Sequence, residues 1–192
     1  RSGQVWMAML TGIGGFGGFF AVYSYISPIL TGVTGLDIKT IPVVLGIYGV
    51  GMVAGSLIGG RLADWSVHGS IYVSMAAMVV FMVLFGLLSS YVVPTLIIMF
   101  ILGATGSVLV PGLQALLMDS APHAQSLAAS LNHSALNVAN ALGAALGAAV
   151  IAAEFGYRAP AFLGAGLAVL GLLLALVTGW RANRIEAQAA MR

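Results

Sequence analysis

Apolar residues run along the chain in six long stretches that are separated by short polar breaks. Each stretch is close to the ~20 residues that an α-helix needs to cross ~30 Å of hydrocarbon. The alternation of period two that is typical of membrane β-barrels is absent, so the pattern predicts membrane helices. The predicted spans are approximately residues 5–30, 41–60, 70–88, 92–118, 126–153 and 159–180.

The composition agrees with a protein that is embedded in a membrane. Hydrophobic residues make up 60% of the 192 positions and charged residues 6%, against roughly 25% charged residues in a soluble domain. Every Asp, Glu, Lys and Arg lies in a polar break or near a chain end, so His133 is the one imidazole or carboxyl group well inside a span. The predicted fold class is therefore an all-α membrane protein with six transmembrane helices.

The available residue types argue against several kinds of site. The chain has no cysteine, so it can form neither a disulfide nor a thiolate metal site. Its net charge of +2 is small and the basic residues do not cluster, so the charge does not indicate nucleic acid, and none is expected as a partner. Ser130 and His133 have neither an acid nor a nucleophile elbow beside them. A single His without a nearby carboxylate does not make a metal site, so we expect no enzyme and no cofactor.

The basic residues are divided unevenly between the two sides of the membrane. One side has only Lys39 and Arg158. The other side collects Arg1, Arg61, Arg181, Arg184 and Arg192, together with His68 and His123. Because basic residues favour the cytoplasmic side, both termini are predicted to be cytoplasmic. The chain begins at Arg1, directly before a span and without a signal peptide, which we interpret as a piece of a longer protein.

Polar side chains, glycines and aromatic rings are shared unevenly among the spans. The third and sixth spans have scarcely a polar side chain and are expected to face lipid, whereas the other four are expected to line the interior. One face of the first span carries Gly14, Gly18, Ala21 and Tyr25, and nearly the opposite face carries Phe16, Phe20, Tyr23 and Ser27. In the second span, Gly51, Gly55 and Gly59 form a ridge that is typical of close helix packing.

The fourth and fifth spans carry the amides. In the fourth, Gln114 lies near the cytoplasmic end and Pro111 predicts a kink. In the fifth, an arc of roughly 100° holds Ser126, Ser130, His133, Asn137, Asn140, Ala144 and Gly147. This stripe either joins helices through hydrogen bonds worth about 0.6–2 kcal/mol each or faces a wet cavity that holds a polar solute. Several polar groups on one face favour the cavity, because polar residues inside a membrane mark pathways.

Three segments resemble one transporter family. "GGRLADWSVHG" at 59–69 resembles the G-x-L-A-D loop of the major facilitator superfamily. "VPGLQALLMDSAP" and "SLNHSALNVANALGAALG" resemble the fourth and fifth helices of the C-terminal half in its drug:proton antiporter branch, which includes sugar-efflux, arabinose-efflux and chloramphenicol-resistance permeases. The resemblance implies two six-helix halves with a solute site between them near the midplane. The first and fourth helices would border that site, the second and fifth would flank it, and the third and sixth would lie outside.

The loop after the second span departs from the family pattern, which continues past the Asp with several basic residues. Here Asp64 is followed by Trp65, Ser66, Val67 and His68. The resemblance implies that Asp64, helped by Arg61, closes an inner gate against the start of the fifth helix near Pro122–Gln125, where the helix dipole favours negative charge. A simple surface turn is the alternative.

The resulting hypothesis is an efflux permease of the bacterial inner membrane, coupled to protons, that exports a drug or a sugar by rocking of two halves. The expected solute contacts are Phe20, Tyr23, Gln114, His133, Asn137 and Asn140. The coupling carboxylate is expected in a missing N-terminal half, with His133 as the candidate in this one. The expected partners are a small solute, protons, the lipid bilayer and that N-terminal half. The alternatives are a non-transporting six-span scaffold and a half-size carrier that pairs with a second copy of the chain.

Overall fold

Helices form nearly the whole of the described chain. The computed structural model describes residues 2–120 and 124–190, and among them the side chains of 3–120 and 124–180. The helices are α1 (Ser2–Tyr23), α2 (Ile26–Gly32), α3 (Ile41–Trp65), α4 (Val67–Leu88), α5 (Val92–Ser120), α6 (Gln125–Ala152) and α7 (Ala159–Ala190), with a 3₁₀ turn at Ile38–Thr40. Six segments are long and apolar enough to span a membrane, and the described residues contain no strand. The predicted all-α membrane fold is confirmed.

The first predicted span, residues 5–30, is divided into two helices with a break at Ser24 and Tyr25. Pro28 explains the break, because it has no N–H to donate to the carbonyl of Ser24, four residues before it. The N–H of Tyr25 donates instead to the carbonyl of Val22 at 3.2 Å, only three residues back. The regular helix is therefore interrupted between α1 and α2 inside an apolar segment.

The spans form two groups of three, α1, α3 and α4 followed by α5, α6 and α7. The first helix of each group packs against the second and third helices of the other group. α1 packs mainly against α6 and α7, and α5 packs in the same way against α3 and α4. α4 and α7 contact each other, and α1 contacts α5 at the centre. The first group, α1, α3 and α4, is therefore equivalent in its packing to the second group, α5, α6 and α7. Such internal symmetry is typical of membrane folds that are built from inverted repeats.

The six spans are buried to different extents. α1 and α5 are the most buried of the spans, whereas α3 and α6 are the least buried. Because α3 flanks α5 and α6 flanks α1, these four helices form one face of the bundle, which we call the open face, with the least buried helices at its edges. The core lies behind this face, where α4 contributes the fully buried side chains of Met75, Met78, Met82 and Phe85.

The glycine ridge of α3 packs against α5, which confirms its predicted role in close helix packing. Gly51, Gly55 and Gly59 are all buried. A Cβ atom added to Gly55 would lie 2.6 Å from the Cα of Ala104, and one added to Gly59 would lie 2.7 Å from the Cα of Val108. Only a residue without a side chain allows the two backbones to approach this closely.

The small face of α1 packs in the same manner against α7. A Cβ added to Gly14 would lie 2.8 Å from the Cα of Gly171, and one added to Gly18 would lie 3.1 Å from the carbonyl carbon of Gly164. The opposite face of α1, which carries the rings, is thereby turned toward the open side of the bundle.

Pro111 lies inside α5, which continues past it as one helix from Val92 to Ser120. Its ring packs over the glycine ridge, since a Cβ at Gly59 would lie 3.1 Å from the proline Cγ. The proline is therefore part of the contact between α3 and α5.

Candidate functional site

A cavity of about 280 Å³ opens between α1, α3 and α5, with Leu136 of α6 at its edge. Its lining includes five aromatic side chains: Phe16, Phe19, Phe20 and Tyr23 of α1, and Tyr48 of α3. The polar side chains of the described lining are three hydroxyls, those of Tyr23, Tyr48 and Ser107. The cavity is thus mostly apolar, with a few polar groups that could orient a ligand.

The rings form one connected cluster around Phe19. The centroid of its ring lies 6.2 Å from that of Tyr23, with the planes 5° apart, and 5.5 Å from that of Phe20 in an edge-on arrangement. Tyr48 lies 5.9 Å from Phe19 and 5.4 Å from Tyr23. These separations are within the range of favourable aromatic pairs, about 4.5–7 Å. The cluster therefore joins α1 to α3 along the cavity.

Two glycines of α5 make room for these rings. A Cβ at Gly106 would overlap the ring of Phe19, whose Cδ2 atom would lie 2.7 Å away. Gly103, one turn earlier, lies against the backbone of Tyr48, where a Cβ would be 3.2 Å from the carbonyl carbon. The positions of both rings consequently depend on small residues in α5.

Tyr48 is a candidate that the sequence analysis missed. Its side chain is 5% exposed, and its hydroxyl is buried without a hydrogen-bond partner among the described residues. It also lines a smaller void of about 10 Å³, together with Phe19 and Tyr23. Tyr48 precedes Gly51 by three residues, so both lie on the face of α3 that packs against α5. That spacing is the signal by which Tyr48 could have been found.

Two of the predicted solute contacts, Phe20 and Tyr23, line the cavity. Tyr23 is 43% exposed and is the more open of the two. Phe19 is absent from the predicted contacts, although it lies three residues after Phe16 and four before Tyr23 and therefore shares their face. The rings were thus predicted from helical spacing, but incompletely.

The other four predicted contacts lie outside the lining of this cavity. His133, Asn137 and Asn140 are exposed on α6, and their side chains form no hydrogen bond or ion pair with another described residue. Asn140 follows Leu136 by one helical turn, so it lies next to the edge of the cavity. Gln114 is exposed near the end of α5. Their contact with a solute stays a prediction.

α6 turns mostly small side chains toward the bundle. Its buried residues are Ala128, Asn132, Ala135, Ala139, Gly143 and Gly147. The hydroxyls of Ser130 and Ser134 donate to carbonyls four residues back at 3.0 Å, so α6 itself satisfies them. The imidazole and the two amides of the predicted stripe are therefore available to a partner or a solute, as is the hydroxyl of Ser126.

The predicted gate residues lie in the last turn of α3. Arg61 and Asp64 are both exposed, and neither forms an ion pair or a side-chain hydrogen bond with another described residue. The expected partner of Asp64 is the start of α6 near Pro122–Gln125, and residues 121–123 lie outside the described residues. The gate consequently stays a prediction.

The described lining of the cavity carries no charged group. Among the residues whose side chains the structure describes, the acidic ones are Asp37, Asp64, Asp119 and Glu154, which lie at helix ends or in connections. No three His, Asp or Glu side chains there lie close enough together to hold a metal ion. The arrangement offers a ligand ring faces and a few hydroxyls.

The sequence matches the family model of the Major Facilitator Superfamily over residues 1–189. The chain belongs to this superfamily. Because members of the superfamily are transporters, the expectation that the chain is not an enzyme is confirmed.

Relatives in the superfamily come from two bacteria. The chain is 38% identical over 175 residues to the inner membrane transport protein YdhP of Escherichia coli, a match that covers 91% of this chain and 45% of YdhP. It is 32% identical over 170 residues to the uncharacterized MFS-type transporter YtbD of Bacillus subtilis, covering 86% of this chain and 42% of YtbD. The chain therefore spans about half the length of these relatives.

Proposed function

We propose that this chain is the C-terminal six-helix half of a secondary active transporter that exports a small solute by alternating access. The observation that carries the proposal is the ring-lined cavity of about 280 Å³ on the open face of the bundle. Ligand sites of transporters lie where two halves meet near the midplane. A cavity on the face that α3 and α6 leave open is in the right place to become such a site.

A second six-helix half would cover the open face. The match to about 45% of YdhP leaves room for another half of similar size, and α3 and α6, the least buried spans, lie at the edges of the face that it would cover. We propose that this partner is an N-terminal half of the same protein. The alternative is a homodimer, in which a second copy of the chain covers the same surface.

The predicted solute contacts have two distinct roles in this proposal. The rings of Phe20 and Tyr23 cover apolar parts of the solute from within the cavity. His133, Asn137 and Asn140 hydrogen-bond its hydroxyl or carbonyl groups from the exposed side of α6, beside the cavity. Gln114 acts in the same way from the cytoplasmic end of α5. Polar groups inside a membrane require such partners, since each one that lacks a partner in hydrocarbon costs several kcal/mol.

Coupling to protons requires an ionisable group within the membrane. The described acidic residues of this chain lie at helix ends or in connections, away from the cavity. We propose that the coupling carboxylate belongs to the other half and that His133 is the candidate here. Asp64 and Arg61 would close the cytoplasmic side when Asp64 meets the positive N-terminal end of α6.

The proposed location is the bacterial inner membrane, with both ends of this chain in the cytoplasm. The Escherichia coli relative is an inner membrane transport protein, which supports this location. The excess of basic residues on one side supports the orientation. The motifs in α5 and α6 favour the drug:proton antiporter branch of the superfamily.

Substitution of the α6 amides tests the proposal. Asn137→Leu and Asn140→Leu are introduced into the protein in the form that cells make. Val138→Leu is the matched control, because Val138 is 45% exposed on another face of α6. Flux of radiolabelled drugs and sugars is followed in membrane vesicles with and without a proton gradient. We expect both Asn variants to insert normally and to lose flux, while the control retains it. Loss of assembly without any change in flux would instead identify a scaffold.

A further inference from the structure

We infer that the cavity accepts the flat, aromatic and largely apolar part of a solute, that this part carries a single hydroxyl or amine group, and that the hydroxyl of Tyr48 is the hydrogen-bond partner of that group. This inference rests on the proposed transport function and names the solute class that the same cavity would take. It also assigns a specific contact to a residue that lies outside the stripe of α6 amides.

The ring cluster favours a flat aromatic solute. Phe19 and Tyr23 are nearly parallel, with planes 5° apart and centroids separated by 6.2 Å, while Tyr23 and Tyr48 are tilted by 32° at 5.4 Å. The cavity thus presents ring faces and ring edges in the offset and edge-on arrangements that aromatic groups prefer. An aromatic solute can continue this packing from one ring to the next.

The hydroxyl of Tyr48 favours a solute with one polar group. Other buried groups without a partner among the described residues include the hydroxyls of Thr11, Ser89 and Thr95. Those side chains are short, whereas the phenol of Tyr48 holds its hydroxyl far from its own backbone and lines the cavity. Buried hydroxyls nearly always have a partner, so the hydroxyl of Tyr48 is available for a hydrogen bond with a solute.

The same lining disfavours a sugar. The three hydroxyls of Tyr23, Tyr48 and Ser107 are the polar side chains of the described lining. A sugar would bury several hydroxyl groups against phenyl and aliphatic carbon, and each one without a partner would weaken binding. A solute with one hydroxyl or amine avoids this loss and still uses the rings.

Access to Tyr48 requires Tyr23 to move. Tyr23 is half-exposed, contacts the ring of Tyr48, and is the last residue of α1 before the break at Ser24 and Tyr25. A residue at a helix end can change its direction with little loss of backbone hydrogen bonding. The solute would therefore lie beside Tyr48, with the Tyr23 ring turned aside and packed against another part of the solute.

Two probes that differ in one group test this inference. Binding of 2-naphthol and of 2-methylnaphthalene is measured by calorimetry on the purified protein, in the form that cells make, in lipid nanodiscs with empty nanodiscs as the blank. We expect 2-naphthol to bind about fivefold more tightly, as one hydrogen bond allows. Tyr48→Phe keeps the ring, so it should remove this preference without changing the affinity for 2-methylnaphthalene.

Tyr91→Phe is the matched control, because Tyr91 is 62% exposed between α4 and α5 and lies outside the cavity. The inference is overturned if Tyr48→Phe retains the preference, if neither naphthalene binds, or if arabinose binds more tightly than both. These outcomes are separable from those of the flux experiment. Transport that depends on Asn137 without naphthol binding would refute the solute class alone, and naphthol binding without any flux would refute transport alone.

Discussion

The hydroxyl of Tyr25 donates a hydrogen bond to the backbone carbonyl of Ala144 at 2.7 Å. This bond connects the break in the first span to the second half of α6, across 119 positions of the chain. Gly147 makes room for the tyrosine ring, since a Cβ there would lie 2.8 Å from its Cδ2 atom. The break between α1 and α2 is thus held in place by a direct contact with α6.

Tyr25→Phe removes this bond while it keeps the ring. Hydrogen bonds between membrane helices contribute about 0.6–2 kcal/mol, so we expect the free energy of unfolding to fall by about 1 kcal/mol. Reversible unfolding in mixed micelles measures the change. Tyr157→Phe is the control, because Tyr157 is 45% exposed and its hydroxyl is not part of the contact between α1 and α6. Equal stability of the two variants would show that the Tyr25 bond contributes nothing.

Gly55→Ala should disrupt the contact between α3 and α5. The new Cβ would lie 2.6 Å from the Cα of Ala104, so the two helices must separate. Overpacking of this kind costs about 1–3 kcal/mol, and the same unfolding assay should show a loss in that range. Gly46→Ala is the matched control on α3, since a Cβ at Gly46 has no atom within 4 Å. If both variants were equally stable, the ridge would not set the helix separation.

The spans could be predicted because the thickness of the bilayer dictates both their length and their apolar character. The break at Ser24 and Tyr25 was missed, since the hydrophobic pattern runs through it without interruption. Pro28 is its local cause and was visible in the sequence, but a proline alone does not show whether a membrane helix bends or stops.

The candidate site was predictable in part for a similar reason. Helical spacing placed Phe20 and Tyr23 on one face, and both line the cavity. Spacing also placed Asn137 and Asn140 on one face, but the direction in which that face points depends on how α6 packs against α1. Tyr48 escaped notice because its ring suits a core position, and only the structure shows that its hydroxyl lacks a partner among the described residues.

Tyr48→Phe should make the empty protein more stable. A buried polar group without a partner costs about 1–3 kcal/mol, and the substitution removes only that group from a side chain that is 5% exposed. We therefore expect the free energy of unfolding to rise by about 1–3 kcal/mol. Tyr91→Phe, at an exposed position, should leave it unchanged. A loss of stability in Tyr48→Phe would mean that the hydroxyl is bonded in the protein, which contradicts its role as a free partner.

Gly106→Ala should reduce the space in the cavity. A Cβ at this position overlaps the ring of Phe19, whose Cδ2 atom would lie 2.7 Å away. Since the far end of an aromatic side chain can turn more easily than a backbone can move, we expect the ring to swing into the cavity. Affinity for an aromatic probe such as 2-naphthol should then fall about tenfold, because a displaced ring costs on the order of 1–3 kcal/mol.

Gly166→Ala is the matched control for this change, because a Cβ at Gly166 in α7 has no atom within 4 Å. It adds the same methyl group to another membrane helix, away from the cavity, and should leave the affinity for the probe unchanged. The comparison separates loss of binding from loss of folding when the unfolding of both variants is measured alongside. If Gly106→Ala folds as well as the control and still binds 2-naphthol with full affinity, Phe19 does not form a wall of the solute site.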